Sequence, residues 1–60
     1  MEWLVAIRKE KMLSQKLVAD NVGITQPTYA NIENGKRRPS VEVAKRIANV
    51  LDFNWTEFYE

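Results

Sequence analysis

Apolar residues recur along this chain at intervals of three and four, and no stretch alternates strictly over the length of a strand. Trp3, Leu4 and Ile7 share one face of a segment running roughly from Glu2 to Lys11. Val18, Ala19 and Val22 form the inward stripe of a segment from Gln15 to Val22, with Ser14 before it as N-cap. Tyr29 and Ile32 point inward from a third segment, which Thr25 caps and which reaches Asn34. Ala44, Ile47, Ala48 and Leu51 line a fourth, Val41 to Leu51, behind Pro39-Ser40. After the Asn54 cap, a short turn from Trp55 to Tyr59 brings Phe58 in to close the core. The pattern predicts an all-α fold of five helices in one domain, residues 1–60, with no internal repeat.

All the glycines and prolines of the chain, Gly23, Pro27, Gly35 and Pro39, fall between residues 22 and 40. Gly23 stands where a helix commonly ends in a left-handed residue. Pro27 lies in a first helical turn, where a missing N–H has no partner to lose. Its presence biases Gln26 away from helical angles, so the third helix is expected to begin one residue later than the Thr25 cap implies. Asn34-Gly35 ends that helix. Two short helices separated by Gly23-Ile24-Thr25 have the spacing of a helix-turn-helix.

Composition narrows the chemistry. Sixty residues without cysteine or histidine offer no disulfide, no thiolate or imidazole metal ligand and no histidine general base. No catalytic constellation is visible, so the expectation is a protein that is not an enzyme and uses no cofactor or metal. The apolar run at 3–7 is too short to cross a membrane and lacks the marks of a signal peptide, which points to a cytoplasmic protein.

The net charge of +1 is unevenly spread. Residues 1–46 hold all nine Lys/Arg and five of the eight acids, whereas residues 47–60 hold three acids and no base. An anion-facing body is expected, with the acidic, aromatic end around Trp55 and Tyr59 turned away from it. The densest cationic run, Lys36-Arg37-Arg38, immediately follows the third helix. The outward face of that helix carries Gln26, Pro27, Ala30 and Asn31, with Thr28 at its edge. Amide and hydroxyl side chains with no charge are unusual on a solvated helix, but Gln and Asn pair well with the edge of adenine.

With these residues in view, the chain resembles the DNA-binding domain of the phage repressor and Cro family, the XRE-type regulators, over residues 4–59. Leu13-Ser14-Gln15, Ala19, Gly23-Ile24, Ile32-Glu33-Asn34-Gly35 and Pro39-Ser40 carry the resemblance. It implies that Gln26, Pro27, Thr28 and Asn31 read bases in the major groove. It further implies that Ser14 and Gln15, at the amino end of the second helix, and Lys36, Arg37 and Arg38 contact phosphates. Arg8 and Glu33 are implied as a structural pair.

Three residues depart from the family pattern. Pro27 offers only apolar contact where relatives have a polar side chain. Met12 replaces a common glycine, so the first connection is expected to stay helical longer. Leu17 replaces an outward acid. With Val43 and Val50, also placed at or near outward positions, and the Trp55/Tyr59 end, Leu17 forms a candidate surface for a protein partner or a second copy.

The reading that results is a sequence-specific binder of double-stranded DNA, a transcriptional regulator and a repressor in preference to an activator. It is expected to act as a homodimer on an inverted-repeat operator, nucleoid-associated and of prokaryote or phage type. The alternative is a protein-interaction module of the same fold: an antitoxin, anti-repressor or docking domain.

Overall fold

Side-chain oxygens start three of the helices. Ser14 Oγ accepts from the Leu17 amide at 3.0 Å, Thr25 Oγ1 from Thr28 at 3.3 Å and Ser40 Oγ from Val43 at 3.2 Å. Each such cap stabilises its helix by about 1 kcal/mol. The computed structural model describes all of residues 1–60. It contains α1 (Glu2–Glu10), α2 (Gln15–Val22), α3 (Gln26–Glu33), α4 (Val41–Leu51) and a 3-10 helix (Trp55–Tyr59), with no strand.

Two boundaries differ from expectation. The fold has four α-helices, because the fifth segment is a 3-10 helix. Its bonds close at i−3, from Glu57 N–H to the Asn54 carbonyl, and Asn54 Oδ1 holds both the amide and the hydroxyl of Thr56. Five residues between a cap and the last residue leave no room for α-helical pairing to take over. α3 begins at Gln26, directly behind its cap, in spite of Pro27. The Thr25 carbonyl already accepts from Tyr29 at 3.0 Å, and this first turn outweighs the pre-proline bias.

All four α-helices end in the same way. A left-handed residue follows each end, directly after α2 and α4 and one residue later after α1 and α3: Gly23 at φ 89°, Asp52 at 61°, Met12 at 60° and Gly35 at 81°. The next amide then reaches back five residues, from Leu13 to Arg8, Ile24 to Ala19, Lys36 to Asn31 and Phe53 to Ala48, at 2.9–3.2 Å. The first connection therefore does not continue the helix as the sequence suggested. α1 stops at Glu10 and reverses at Met12, whose side chain is 91% exposed.

The core joins Leu4 of α1, Val18, Ala19 and Val22 of α2, Tyr29 and Ile32 of α3, and Ala44, Ile47 and Leu51 of α4. Phe58 closes it from the 3-10 helix, in edge contact with Trp3 at 5.3 Å between centroids; Trp3 meets Phe53 at 5.4 Å. Val43 and Val50 were placed outward from the sequence. They are half-buried and pack against the core, since the inward face of α4 is wider than its four most buried residues. Leu17 stays outside, 45% exposed.

The left-handed turn at Met12 generates a prediction. An L side chain there costs about 1–2 kcal/mol that glycine avoids, less the larger entropy glycine loses on folding. Met12→Gly should raise stability by up to about 1 kcal/mol, or several degrees in thermal midpoint for a domain this small. Gly35→Ala should lower stability, although an added Cβ would meet nothing within 4 Å. Thermal unfolding of the two variants checks this; midpoints equal to the parent's in both would refute the role of backbone handedness.

Candidate nucleic-acid interface

α3 is two-faced because one side of it is buried. Tyr29, Ile32 and Glu33 face inward, Gln26 and Pro27 are exposed, and Thr28, Ala30 and Asn31 are half-buried at the margin. The Gln26 and Asn31 side-chain amides have no partner within the chain, so their donors and acceptors are left to solvent or a ligand. Thr28 Oγ1 accepts from the Thr25 hydroxyl at 2.8 Å and keeps its own proton to donate.

Gly35 turns the chain back on this helix. The Asn31 carbonyl accepts from both Lys36 and Arg37 amides, at 2.9 and 3.1 Å, and Asn34 Oδ1 also accepts from Lys36 at 3.1 Å. The backbone of the basic run is thus fastened to the helix whose polar face it borders. Lys36, Arg37 and Arg38 are exposed, and none joins any of the three ion pairs. A cleft of about 330 Å³ is lined by Thr28 and Ile32 of α3, Arg37 and Arg38 of this loop, Ile24 and Val43.

The C-terminal aromatics are not turned away from these cations. The Arg38 guanidinium carbon lies 5.7 Å from the centre of the Tyr59 ring, and the Tyr59 hydroxyl donates to the Pro39 carbonyl at 3.1 Å. Lys45 Nζ stands 5.1 Å from the Trp55 ring. α4 brings the chain back past the loop, so the aromatic residues of the C-terminal segment lie beside cations although its acids pair with none of them. Attraction between cations and ring faces holds the two ends together.

Behind α3, three helices meet at one carboxylate. Glu33 is 4% exposed; its Oε2 accepts from Arg8 Nε at 2.6 Å, and its Oε1 accepts from Arg8 Nη2 at 3.4 Å and Gln15 Nε2 at 2.9 Å. Arg8 Nη1 also donates to the Leu13 carbonyl at 2.8 Å. Gln15 is therefore half-buried with one amide N–H committed inward, leaving its second N–H and its oxygen free. Ser14 is exposed and acts as the α2 cap.

Burial alone would push the Glu33 pKa up. The hydrogen bonds from Arg8 and Gln15 outweigh it, and the group is held below its ordinary 4.5. The Tyr29 hydroxyl beside this pair is buried without a hydrogen-bond partner. Its burial, reinforced by Glu33, holds the phenol neutral well past its ordinary 10.0. No group of three or more acidic side chains converges as a metal-ligand set.

Among the contacts not evident from the sequence are Gln15 on Glu33, those of Tyr59 with Arg38 and Pro39, and those of Arg46. Arg46 lies on α4, pairs with Glu42 at 3.0 Å and donates to the Val22 carbonyl at 3.3 Å, bracing the turn between α2 and α3. Only the Glu42/Arg46 spacing of four was a visible signal.

α2, a three-residue turn and α3 form the geometry of a helix-turn-helix, and the sequence profile of the family described as Helix-turn-helix matches residues 4–58. The chain belongs to the XRE-type helix-turn-helix family. It is 46% identical over 59 residues to the uncharacterized HTH-type transcriptional regulator YqaF of Bacillus subtilis, covering 98% of this chain and 78% of that one. It is 40% identical to the HTH-type transcriptional regulator AnsR of the same organism, covering 87% of this chain and 45% of the relative. Antitoxin HigA1 of Mycobacterium tuberculosis is 39% identical, with 82% of this chain and 33% of the relative covered. The chain thus spans most of the first relative and less than half of the other two. No solved structure matches it significantly.

In this helix-turn-helix, the Arg8–Glu33 contact fixes α3 against α1, and it makes a prediction. Removing one partner of a buried pair leaves an uncompensated charge, at a cost of about 3–5 kcal/mol, against 0 to about 1 for a surface pair. Arg8→Ala and Glu33→Ala should each reach that range and be strongly non-additive in a double-mutant cycle of urea unfolding. Because the folded-state pKa of Glu33 is lowered, its contribution is present above the ordinary 4.5 and lost as pH falls through the folded value. Glu33→Gln should flatten that acid limb. Additive single effects, or an acid limb unchanged in Glu33→Gln, would remove the pair from this role.

Proposed function

We propose that this chain binds double-stranded DNA in a sequence-specific manner and acts as a transcriptional regulator, with repression as its mode. α3 enters the major groove. Gln26 and Asn31 read base edges, Thr28 supplies a hydroxyl donor and Pro27 an apolar contact of the kind a thymine methyl accepts. Lys36, Arg37 and Arg38, with Ser14 and Gln15 at the amino end of α2, meet phosphates. One observation supports the reading most directly: the uncharged amide face borders three exposed cations outside any ion pair, and the first two are fastened through their backbone to the Asn31 carbonyl. Family membership and the relatives described as transcriptional regulators support it.

A single eight-residue helix spans few base pairs, so the proposal includes a homodimer on an inverted repeat with half-sites about 34 Å apart. The site of action is cytoplasmic, at the nucleoid. No helix is long and apolar enough to cross a membrane.

The second reading is a protein-interaction module. A relative described as an antitoxin and the exposed Leu17 favour it. A module of that kind has no use for the outward amides of α3.

Two predictions follow from the DNA-binding reading. In a salt titration with a duplex selected from a random pool, Lys36→Ala and Arg37→Ala should each lower the magnitude of the log K against log[salt] slope by about 0.9. Gln26→Ala and Asn31→Ala should leave the slope unchanged and lose roughly 1–3 kcal/mol of discrimination at one or two base pairs. Unchanged sequence preference in both amide variants would remove the readout assignment. A wild type with neither salt dependence nor preference would hand the chain to the interaction reading. For assembly, mass measurement on the selected duplex should give two chains per inverted repeat; one chain on a site without a repeat would exclude the dimer.

A further inference from the structure

Arg38 differs from its two neighbours in what holds it. Lys36 and Arg37 are fixed through backbone bonds to Asn31, whereas Arg38 makes no such bond and has no carboxylate partner. An exposed arginine in a loop samples many rotamers, and a phosphate contact must then order it. Here its guanidinium carbon lies 5.7 Å from the centre of the Tyr59 ring, inside the roughly 6 Å reach of a cation–π contact. The Tyr59 hydroxyl donates to the carbonyl of Pro39, the next residue. One side chain therefore grips both sides of the Arg38–Pro39 link.

Tyr59 is itself placed by neighbours. Its ring meets Trp55 edge-on at 6.0 Å, and Trp55 carries Lys45 over its face. It is not a core residue: it is 40% exposed and lies outside the buried cluster that Phe58 completes. Nothing about core packing requires a tyrosine at this position.

We infer that Tyr59 is a positioning residue for DNA binding, its ring supporting Arg38 and its hydroxyl fixing Pro39 so that Arg38 meets the phosphate backbone already oriented. A guanidinium lying over a ring keeps its N–H groups at its edge, where they remain free to grip phosphate oxygens. The inference rests on the DNA-binding reading above. It gives the 3-10 helix a function that the separation of charge along the sequence had argued against.

The test uses the full chain and the duplex selected with it, comparing Tyr59→Leu, Tyr59→Phe, Arg38→Ala and the Arg38→Ala/Tyr59→Leu pair. Tyr59→Leu should lower the salt slope by about 0.9, as Arg38→Ala does, and the double variant should lose no more than either single one. Between 50 and 200 mM salt this is a roughly 3.5-fold smaller drop in affinity. Tyr59→Phe, which keeps the ring and loses the bond to the Pro39 carbonyl, should fall between the wild type and Tyr59→Leu. A Phe variant as impaired as Leu would overturn the ring's part in the inference, and one equal to the wild type the hydroxyl's. A wild-type slope in folded Tyr59→Leu, or additive losses in the pair, overturns the inference while the DNA reading stands. A wild type without salt-dependent binding overturns the DNA reading and the inference with it. Nuclear magnetic resonance of the wild type supplies a readout that does not depend on a variant folding. The Arg38 δ-protons should be shifted upfield by the Tyr59 ring and stay so when the duplex is added. Random-coil shifts, or shifts that collapse on binding, overturn the inference.

Discussion

The buried carboxylate of Glu33 is the constraint around which the rest of the molecule is arranged. Taking a carboxylate out of water costs several kcal/mol, and hydrophobic residues of the same volume often fill such a position with equal or greater stability. What the carboxylate supplies is geometry. It accepts from Arg8 of α1 and Gln15 of α2 while lying at the last residue of α3, so three helices are fixed at one point. Gly35 reverses the chain two residues later, and the basic run starts from that anchored end. A tilt of α3 would therefore move the amide face and the cations together. Glu33 matters less for how tightly the domain folds than for the one orientation in which it presents α3.

The handedness of the helix ends shows which part of the fold was legible in the sequence. Apolar spacing located every helix, and Ser14, Thr25 and Ser40 marked three starts, because a cap needs only a hydroxyl and an amide three residues on. Gly23 and Gly35 marked two ends. The other two ends have the same backbone at Met12 and Asp52, where no glycine announces it. A left-handed residue costs only about 1–2 kcal/mol, so the packing of α1 and α4 can impose it on an ordinary side chain. Glycine is thus a sufficient signal of such a turn and not a necessary one. The same limit explains the last element: a polar cap at Asn54 predicts a helical start, but only the bonding pattern distinguishes a 3-10 turn from an α-helix.

The candidate interface was legible where it depends on residues close in sequence. Gln26 to Asn31 share a helix face by periodicity alone, and Lys36-Arg37-Arg38 adjoins it by simple succession. Contacts that close long loops left no local trace. Gln15 reaches Glu33 across 18 residues, Arg46 reaches Val22 across 24, and Tyr59 reaches Pro39 across 20. The Arg8–Glu33 contact, across 25 residues, was anticipated only through resemblance to the repressor family. Charge misled for a related reason. Counting acids and bases along the chain treats it as a line, whereas α4 folds the C-terminal segment back so that the Tyr59 ring lies beside the basic loop.

The distribution of ion pairs bears on what this surface is for. Three of the nine Lys/Arg are paired: Arg8 inside, and Lys16 and Arg46 with acids four residues away on their own helices. The chain carries eight acids, enough to neutralise a loop of three cations, yet none stands against Lys36, Arg37 or Arg38. Three adjacent exposed cations repel one another, with screening only beyond about 8 Å at physiological salt. That repulsion stabilises nothing in the free protein. On the proposed reading it is relieved when an array of phosphates, one negative charge every ~1.7 Å of duplex, lies against the loop and releases its counterions. On that reading the loop meets the array with the backbone of Lys36 and Arg37 fixed to Asn31 and the Arg38 side chain over an aromatic ring, so binding has less freedom of the loop and of that one side chain to remove. An unpaired cationic edge beside an outward, uncharged amide face suits a partner that is polyanionic and carries hydrogen-bonding edges, as the proposed function requires.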